Sequence, residues 1–238
     1  MRQILRTLFF AIILLHSPIC YALDVIAHIP ENPKKALIML HGWQHDGAGV
    51  QWLTDALKND FSDMAFFYPT APDKAPGLGF QWFEIPTLGN EMSEEKIYDI
   101  MMHSALSNIG QLHDLIEYIH QNQQLEYKDI YVAGFSQGGF MAILTGLTNS
   151  NHIGKIISFS GVPIILTKDF KESSIVSKPK ILIIQGDSDY VIPNDSYNLT
   201  QNTLTQQGIS PQVKVIKNMP HTINNEAIKY AIDFLNQK

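Results

Sequence analysis

The sequence predicts an α/β fold built on a mainly parallel, doubly wound sheet with helices on both faces. Short apolar runs recur along the chain, and segments with helical periodicity separate them. The runs are apolar throughout rather than at alternate positions, which is typical of strands buried on both faces. Alternation of such strands with helices indicates parallel strands that are joined by crossover helices.

Six runs are predicted as strands, because each is short, is mostly rich in Ile, Val, Leu or aromatic residues, and is bounded by turn residues. They span residues 36–40, 65–68, 130–133, 155–159, 181–184 and 213–216. The longest helix is predicted to begin near Ser93, since Glu94 and Glu95 suit the positive end of a helix dipole. Further helices are predicted at 50–58, 137–147, 196–207 and 225–235, and residues 69–79, rich in Pro and Gly, are predicted as a surface loop.

Composition narrows the class of protein. The 238 residues, 45% apolar and 17% charged, suffice for a large core and exclude a disordered or disulfide-stapled chain. A formal net charge of −6 argues against nucleic-acid binding through phosphate contacts. Cys20 is the single cysteine, so neither an intramolecular disulfide nor a cysteine metal cluster is expected. Since no linker or repeat divides the sequence, we expect one domain over residues 23–238.

The first 22 residues have the pattern of a secretory signal peptide. Arg2 and Arg6 precede an apolar run at 8–15, and Cys20 and Ala22 place small residues at −3 and −1 of a cleavage site. The apolar run is too short for a membrane-spanning helix, which needs about 20 residues. We therefore expect export, periplasmic or secreted, after cleavage behind Ala22, which leaves no stable membrane span. An uncleaved N-terminal membrane anchor and a lipoprotein modified at Cys20 are the alternatives.

The sharpest catalytic motif is the string GFSQGG at 134–139, which follows a predicted strand and opens a helix. This is the G-x-S-x-G nucleophile elbow, whose tight turn raises the serine hydroxyl above the carboxyl edge of a sheet. Gly134 and Gly138 lack the Cβ atoms that would collide with neighbouring backbone there. The pattern predicts Ser136 as a nucleophile, with a simple glycine turn as the structural alternative.

A serine nucleophile needs a base that a third group orients, and two later segments supply both. Residues 185–193 follow a predicted strand and carry Asp187 and Asp189, while His221 follows the last predicted strand. The order Ser, Asp, His is that of α/β-hydrolases. We expect His221 as the base and Asp189 as the acid, because the loop leaves the strand before it turns towards the elbow. Asp187 is expected to cap local backbone N–H groups.

The loop at 41–47, with the sequence HGWQHDG, follows the strand at 36–40. In this fold such a loop supplies one backbone N–H of the oxyanion hole, and the residue after the nucleophile supplies the other. The expected donors are therefore the N–H groups of Trp43 and Gln137. His41 is expected to hold the loop, since His221 already serves as the base.

Four motifs together resemble the carboxylesterase/phospholipase family that includes acyl-protein thioesterases. They are residues 40–42 (LHG), 134–139 (GFSQGG), 185–189 (QGDSD) and 220–222 (PHT), and the resemblance runs from about Lys35 to the C-terminus. Residues 81–85 (QWFEI) also resemble the Trp-Phe-Asp segment that lies beside the active site in that family. The resemblance implies an α/β-hydrolase fold with Ser136, Asp189 and His221 as the triad, Trp43 and Gln137 as oxyanion donors, and Trp82 in substrate binding.

The chain departs from the family pattern at three points. Gln44 stands where the family often has Gly, and Gln185 stands where it usually has His. The predicted signal peptide contrasts with the cytosolic location of most members. These departures leave the three predicted triad residues in place, but they affect the expectation of which natural substrate the protein uses.

We expect a serine hydrolase that cleaves small-molecule carboxylic esters or thioesters through an acyl-enzyme, with no metal or organic cofactor. His45 and Asp46 make a weak metal pair, because the sequence supplies no third ligand for them. One alternative is an exported serine hydrolase of another class, namely a polymer depolymerase, a feruloyl esterase or a peptidase. A catalytically silent binding module is more remote, since the triad residues are all present. The motifs imply no particular oligomeric state.

Overall fold

The computed structural model of the chain describes residues 23–86, 92–193 and 195–237. Its strands are β1 (Val25–His28), β2 (Lys35–Leu40), β3 (Met64–Pro69), β4 (Asp73–Lys74), β5 (Phe80–Gln81), β6 (Ile130–Phe135), β7 (Lys155–Phe159), β8 (Lys180–Gly186) and β9 (Gln212–Ile216). Seven of them form one sheet in the order β1-β3-β2-β6-β7-β8-β9, and β4 pairs with β5 in a separate two-stranded ladder. Within the large sheet β1 runs antiparallel to β3, and the other neighbours are parallel.

Helices cover both faces of the sheet, as the sequence predicted. They are α1 (Trp52–Leu57), α2 (Glu94–Gln123), α3 (Gln137–Thr148), α4 (Ser196–Gln206) and α5 (Asn225–Asn236). One apolar core joins the sheet to α2, α3 and α4, and a second joins its other face to α1 and α5. Along β2, Ile38 and Leu40 belong to the first core, while Leu37 and Met39 belong to the second. A strand that is buried on both faces needs apolar residues at every position, which explains the continuous runs in the sequence.

The longest helix begins where the sequence predicted. The Ser93 hydroxyl accepts a hydrogen bond from the Lys96 N–H at 3.4 Å and so caps the first turn of α2. The helix ends at Gln123, because Gln124 has a left-handed backbone with φ of 53°. Among the described residues, no helix has both the length and the apolar character needed to cross a membrane.

Two features of the fold differ from the sequence predictions. The edge strand β1 was not predicted, because its four residues are only half-buried and pair with β3 alone. The predicted surface loop at 69–79 contains β4, which pairs with β5 through Asp73 and Gln81. This ladder is too short to leave an apolar run in the sequence, and α2 holds it in place through a 2.7 Å hydrogen bond from Asn108 Nδ2 to Asp73.

The topology brings four loops to one edge of the sheet. Parallel strands point their carboxyl ends the same way, so the loops that follow β2, β6, β8 and β9 meet at that edge. These loops carry the oxyanion-loop residues, the elbow and both predicted acid–base residues. Residues 1–22 lie outside the described residues, so the signal peptide and the start of the domain at Leu23 stay predictions.

Candidate active site

Ser136 lies at the sharp turn between β6 and α3. Its backbone has φ of 56° and ψ of −117°, a conformation that costs a non-glycine residue about 1–3 kcal/mol. The Ser136 N–H donates to the Phe159 carbonyl on β7 at 2.9 Å, which holds the turn against the sheet. Because Ser136 is also the N-cap of α3, the positive end of the helix dipole faces the site.

The elbow touches the end of β2 through a residue without a side chain. A Cβ built on Gly138 would lie 2.3 Å from the carbonyl oxygen of Leu40 and 2.6 Å from that of His41. No side chain fits in this space, so glycine is required by close backbone approach. The contact sets the loop after β2 directly beside the first turn of α3.

Asp189 and His221 form a hydrogen-bonded pair at the same edge. Asp189 Oδ2 lies 2.8 Å from His221 Nδ1. Since a carboxylate only accepts, Nδ1 carries the proton and Nε2 keeps its lone pair. The Asp189 side chain is fully buried, and 17% of the His221 side chain is exposed. The ring of His221 packs on the ring of Phe135, with 4.7 Å between their centroids, one residue before Ser136.

The Asp189 carboxylate accepts hydrogen bonds at both oxygens. Oδ1 accepts from the backbone N–H groups of Val191 and Ile192, each at 2.9 Å. Oδ2 accepts from His221 and, at 3.1 Å, from Gln185 Nε2. Burial raises the pKa of Asp189, but the hydrogen bonds from His221, Ile192 and Val191 outweigh it, so the pKa lies below its usual value. The carboxylate is therefore held ionised, as an anchor for an imidazolium.

Ser136 lies on a different turn from this pair. Among the described residues, its hydroxyl is hydrogen bonded neither to His221 nor to the first turn of α3. Hydrogen bonds of this kind are often long in an empty site and shorten when the substrate binds. The structure thus brings Asp189 and His221 together and sets Ser136 next to them on a separate turn.

Asp187 makes a long-range contact that the sequence did not predict, and the predicted local cap stays a prediction. Its Oδ1 accepts from the Asn218 N–H at 2.6 Å, which belongs to the loop that carries His221. It also accepts from the Ser188 hydroxyl at 3.0 Å. Asp187 and Asn218 are 31 residues apart, so this hydrogen bond depends on tertiary contact between the loops that follow β8 and β9. Asp187 therefore ties the loop of His221 to the loop of Asp189.

Two backbone N–H groups beside the elbow are available as oxyanion donors. In the part of the chain that the structure describes, neither the Trp43 N–H nor the Gln137 N–H donates to a protein acceptor. The Gln137 N–H belongs to the first turn of α3, where N–H groups have no intrahelical acceptor, so both groups are free to donate to a ligand. Their role as the oxyanion hole stays a prediction.

His41 holds the oxyanion loop, as expected from the sequence. Its Nδ1–H donates to the Gly42 carbonyl at 2.7 Å, and its Nε2 accepts from the Ala71 N–H at 2.9 Å. The Gly42 carbonyl belongs to the same peptide group as the Trp43 N–H, so the ring fixes the direction of that donor. Burial lowers the pKa of His41 to about 4, although the hydrogen bond to Gly42 opposes the change. The ring stays neutral, and both its nitrogen atoms are occupied.

Trp82 supports the loop that carries His41 and Trp43. Its side chain is fully buried, as suits the large apolar area of an indole ring, and its expected role in substrate binding stays a prediction. The indole N–H donates to the His41 carbonyl at 2.9 Å. The Gln137 side chain accepts from the Trp82 N–H and donates to the Phe83 carbonyl, both at 2.7 Å. The elbow, the oxyanion loop and residues 82–83 are thus joined by buried hydrogen bonds.

Gln44 occupies a backbone conformation that suits glycine. Its φ is 63°, which costs an L-residue roughly 1–2 kcal/mol, and the resembled family often has Gly at this point. The Gln44 side chain compensates, because Nε2 donates to the Pro76 carbonyl at 2.7 Å. Its N–H also donates to the Phe80 carbonyl at 2.9 Å. Glutamine here attaches the oxyanion loop to the β4–β5 ladder.

The described residues contain no group of three or more His, Cys, Asp and Glu side chains that could hold a metal ion. Asp46, which sequence reasoning weighed as a ligand, accepts a 3.0 Å hydrogen bond from the Gly49 N–H. Two other site residues were missed. Gln185 donates to Asp189, and Phe135 supports the ring of His221. The substitution of Gln for the usual His at 185 was the available signal for the first.

Known proteins resemble this chain over nearly all of its length. A sequence model of the phospholipase/carboxylesterase family matches residues 22–238. Acyl-protein thioesterase 1 homolog 1 of Dictyostelium discoideum is 26% identical over 208 residues, which cover 84% of this chain and 89% of that protein. Acyl-protein thioesterase 1 of Eremothecium gossypii is 24% identical over 221 residues, with 88% and 90% covered.

Solved structures agree with the sequence relatives. The crystal structure of esterase PE8 has a TM-score of 0.77 and 28% identity, and the match covers 90% of this chain and 97% of that one. The structure of Arabidopsis thaliana SOBER1, at 20% identity, has a TM-score of 0.72 and likewise supports the fold. These α/β-hydrolase neighbours confirm the predicted fold class.

The buried His41 ring predicts a pH dependence of stability. The unfolded chain binds a proton on His41 below pH 6.5, whereas the folded chain does so only near pH 4. The free energy of unfolding should therefore fall as the pH drops from 6.5 to 4, by up to about 3 kcal/mol from this group. Urea denaturation between pH 4.5 and 7.5 measures this slope, and His41→Gln should flatten it.

His103→Gln is the matched control, because the His103 side chain is 77% exposed. This variant should keep the slope of the wild type. Equal slopes for His41→Gln and the wild type would contradict the neutral, buried state of His41.

Proposed function

The chain belongs to the phospholipase/carboxylesterase family and is an ester hydrolase with the α/β-hydrolase fold. We propose that it is a serine hydrolase that acts on carboxylic esters or thioesters. The observation that carries the proposal is the Asp189–His221 pair, 2.8 Å apart, whose imidazole packs on Phe135 immediately before Ser136. The Trp43 and Gln137 N–H groups, which have no acceptor in the described part of the chain, would stabilise the negative charge of the oxyanion.

In the proposed reaction, the Ser136 hydroxyl attacks the acyl carbonyl while His221 Nε2 takes its proton. Asp189 holds the ring and stabilises the imidazolium that forms. The Trp43 and Gln137 N–H groups donate to the oxyanion, a contribution of about 3–4 kcal/mol for each donor. The intermediate collapses to an acyl-enzyme, and the leaving alcohol or thiol takes the proton from His221. Water then repeats the sequence and releases the acid.

An apolar acyl or leaving group suits the mouth of the site. Tyr190 and Val191, which follow Asp189 in the sequence, are 95% and 64% exposed, and Trp43, on the loop after β2, is 37% exposed. Esters and thioesters share the acyl carbonyl that the triad attacks, and relatives named esterase and acyl-protein thioesterase support both. A turnover panel of acyl esters from acetyl to palmitoyl, thioesters, polymer esters and peptide amides separates this proposal from a depolymerase, a feruloyl esterase or a peptidase.

Ser136 should be the residue that is acylated. Incubation with a fluorophosphonate should add one label per chain, because only a serine activated by a base reacts quickly. Peptide mapping should place the label on Ser136, and Ser136→Ala should lose both label and turnover. Ser107→Ala, on α2, is the matched control and should keep both. A label on another serine of the active enzyme would overturn the mechanism.

Asp189 and Asp187 should respond differently to the same substitution. Asp189→Asn replaces an acceptor of His221 by an amide and favours the wrong imidazole tautomer, so kcat should fall by about a hundredfold or more. Asp187→Asn keeps the oxygen that accepts from Asn218 and should cost about 1 kcal/mol of stability with most activity retained. Measurement of kcat and Tm for both variants shows which of the two aspartates is the acid of the triad. An inactive Asp187→Asn beside an active Asp189→Asn would reverse the assignment.

Export is the further part of the proposal, and the leader sequence supports it. The mature protein in the extracytoplasmic fraction should begin at Leu23, because cleavage is expected behind Ala22. N-terminal sequencing of that fraction measures this directly. A variant with Ala22→Arg, which removes the small residue at −1, should stay unprocessed. Full-length protein confined to the cytosol would contradict export and favour an intracellular substrate.

A further inference from the structure

Gln185 is a buried amide that touches the predicted triad. It lies in β8, one residue before the strand ends at Gly186, and its side chain is almost fully buried. Its Nε2 lies 3.1 Å from Asp189 Oδ2 and 3.5 Å from the Ile192 carbonyl oxygen. Both partners are acceptors, so the NH₂ group of the amide faces them.

The contact falls on the oxygen that serves His221. Asp189 Oδ1 is already filled by two backbone N–H groups, whereas Oδ2 is shared between His221 Nδ1 at 2.8 Å and Gln185 at 3.1 Å. Without Gln185, Oδ2 would have His221 as its single donor. A second donor fixes the rotation of the carboxylate and spreads its negative charge, which weakens its hold on a proton or an imidazolium.

We propose that Gln185 is a positioning residue of the acid–base pair: it keeps Asp189 Oδ2 in line with His221 and limits how strongly the carboxylate stabilises the imidazolium. The inference rests on the proposed serine hydrolase mechanism and deepens it. Unlike the histidine that the family usually carries at this point, an amide keeps its donors at every pH. The support to Asp189 therefore does not titrate near neutrality.

The stabilisation of a His221 imidazolium depends on the Asp189 carboxylate. Among the described residues, Asp189 is the charged group in contact with the imidazole, and the Phe135 ring covers the ring beside it. Asp187 on the same loop is turned to the Asn218 N–H. A change at Gln185 should thus reach His221 through the Asp189 carboxylate.

Gln185→Met removes the donor and keeps the length of the side chain. With a small soluble ester we expect kcat to fall about 10- to 100-fold and KM to stay within about twofold. The acidic limb of the kcat/KM profile should move upwards by about 0.5–1 pH unit, because the unshared carboxylate charge stabilises the imidazolium. Gln185→His should restore most of kcat, since a ring N–H can donate in place of the amide. Gln212→Met, at an exposed glutamine of β9, should match the wild type.

A merely structural role gives a different result. It would lower Tm and the folded fraction but leave the acidic limb and the turnover of each folded molecule unchanged, and that outcome would overturn the inference. If Gln185→Met does not fold, Gln185→Leu removes the same donor with a shorter apolar side chain. The acidic limb should move upwards as for Gln185→Met, and an unchanged limb would again overturn the inference.

Failure of this inference is distinguishable from failure of the proposed function. Absence of both ester turnover and fluorophosphonate label in the wild type would contradict the serine hydrolase itself. An active, labelled wild type with an unaffected Gln185→Met would reject the role of Gln185 alone.

Discussion

Two stretches of backbone, the end of β2 and the first turn of α3, touch at the carboxyl edge of the sheet. The carbonyl oxygens of Leu40 and His41 lie where any side chain at position 138 would begin, 2.3 and 2.6 Å from a built Cβ. Because one stretch leads into the Trp43 N–H and the other contains the Gln137 N–H, this contact sets the spacing of both donors. A methyl group at 138 would push the loop from the helix and separate them. The proposed oxyanion site thus depends on close backbone packing at Gly138.

Buried polar side chains then fix the direction of those donors. His41 binds the carbonyl of the peptide that ends in the Trp43 N–H, while Trp82 binds the His41 carbonyl. The Gln137 side chain links the elbow to residues 82–83. A fully satisfied buried network of this kind resists rotation of its members, since any broken contact leaves a polar group unpaired. Donors that need no reorientation during reaction are the ones that stabilise an oxyanion most.

The sequence predicted the elements that have a clear apolar pattern. All six predicted strands and all five predicted helices are present, including the edge strand β9, most of whose residues are not buried. The same register placed Asp189 and His221 at one edge, where they are hydrogen bonded. Features that depend on partners far along the chain escaped prediction. These include β1, the β4–β5 ladder, the burial of Trp82 and the contact of Asp187 with Asn218, since no local pattern encodes which way a loop side chain turns.

The two residues of the proposed acid–base pair lie on two loops that are hydrogen bonded to each other. His221 follows the edge strand β9, and its loop returns over the end of β8, where the Met219 carbonyl lies 1.9 Å from a Cβ built on Gly186. The Asp187 N–H donates to the Ile216 carbonyl and the Ser188 N–H to that of Met219, at 3.0 and 3.2 Å. In the opposite direction, the Asn218 N–H donates to Asp187. Asp189 and His221 therefore keep their geometry as one unit, whereas Ser136 belongs to β6 and α3. Alignment of the proposed triad therefore depends on how the turn between β6 and α3 packs against that unit, and the contact between the Phe135 and His221 rings joins the two.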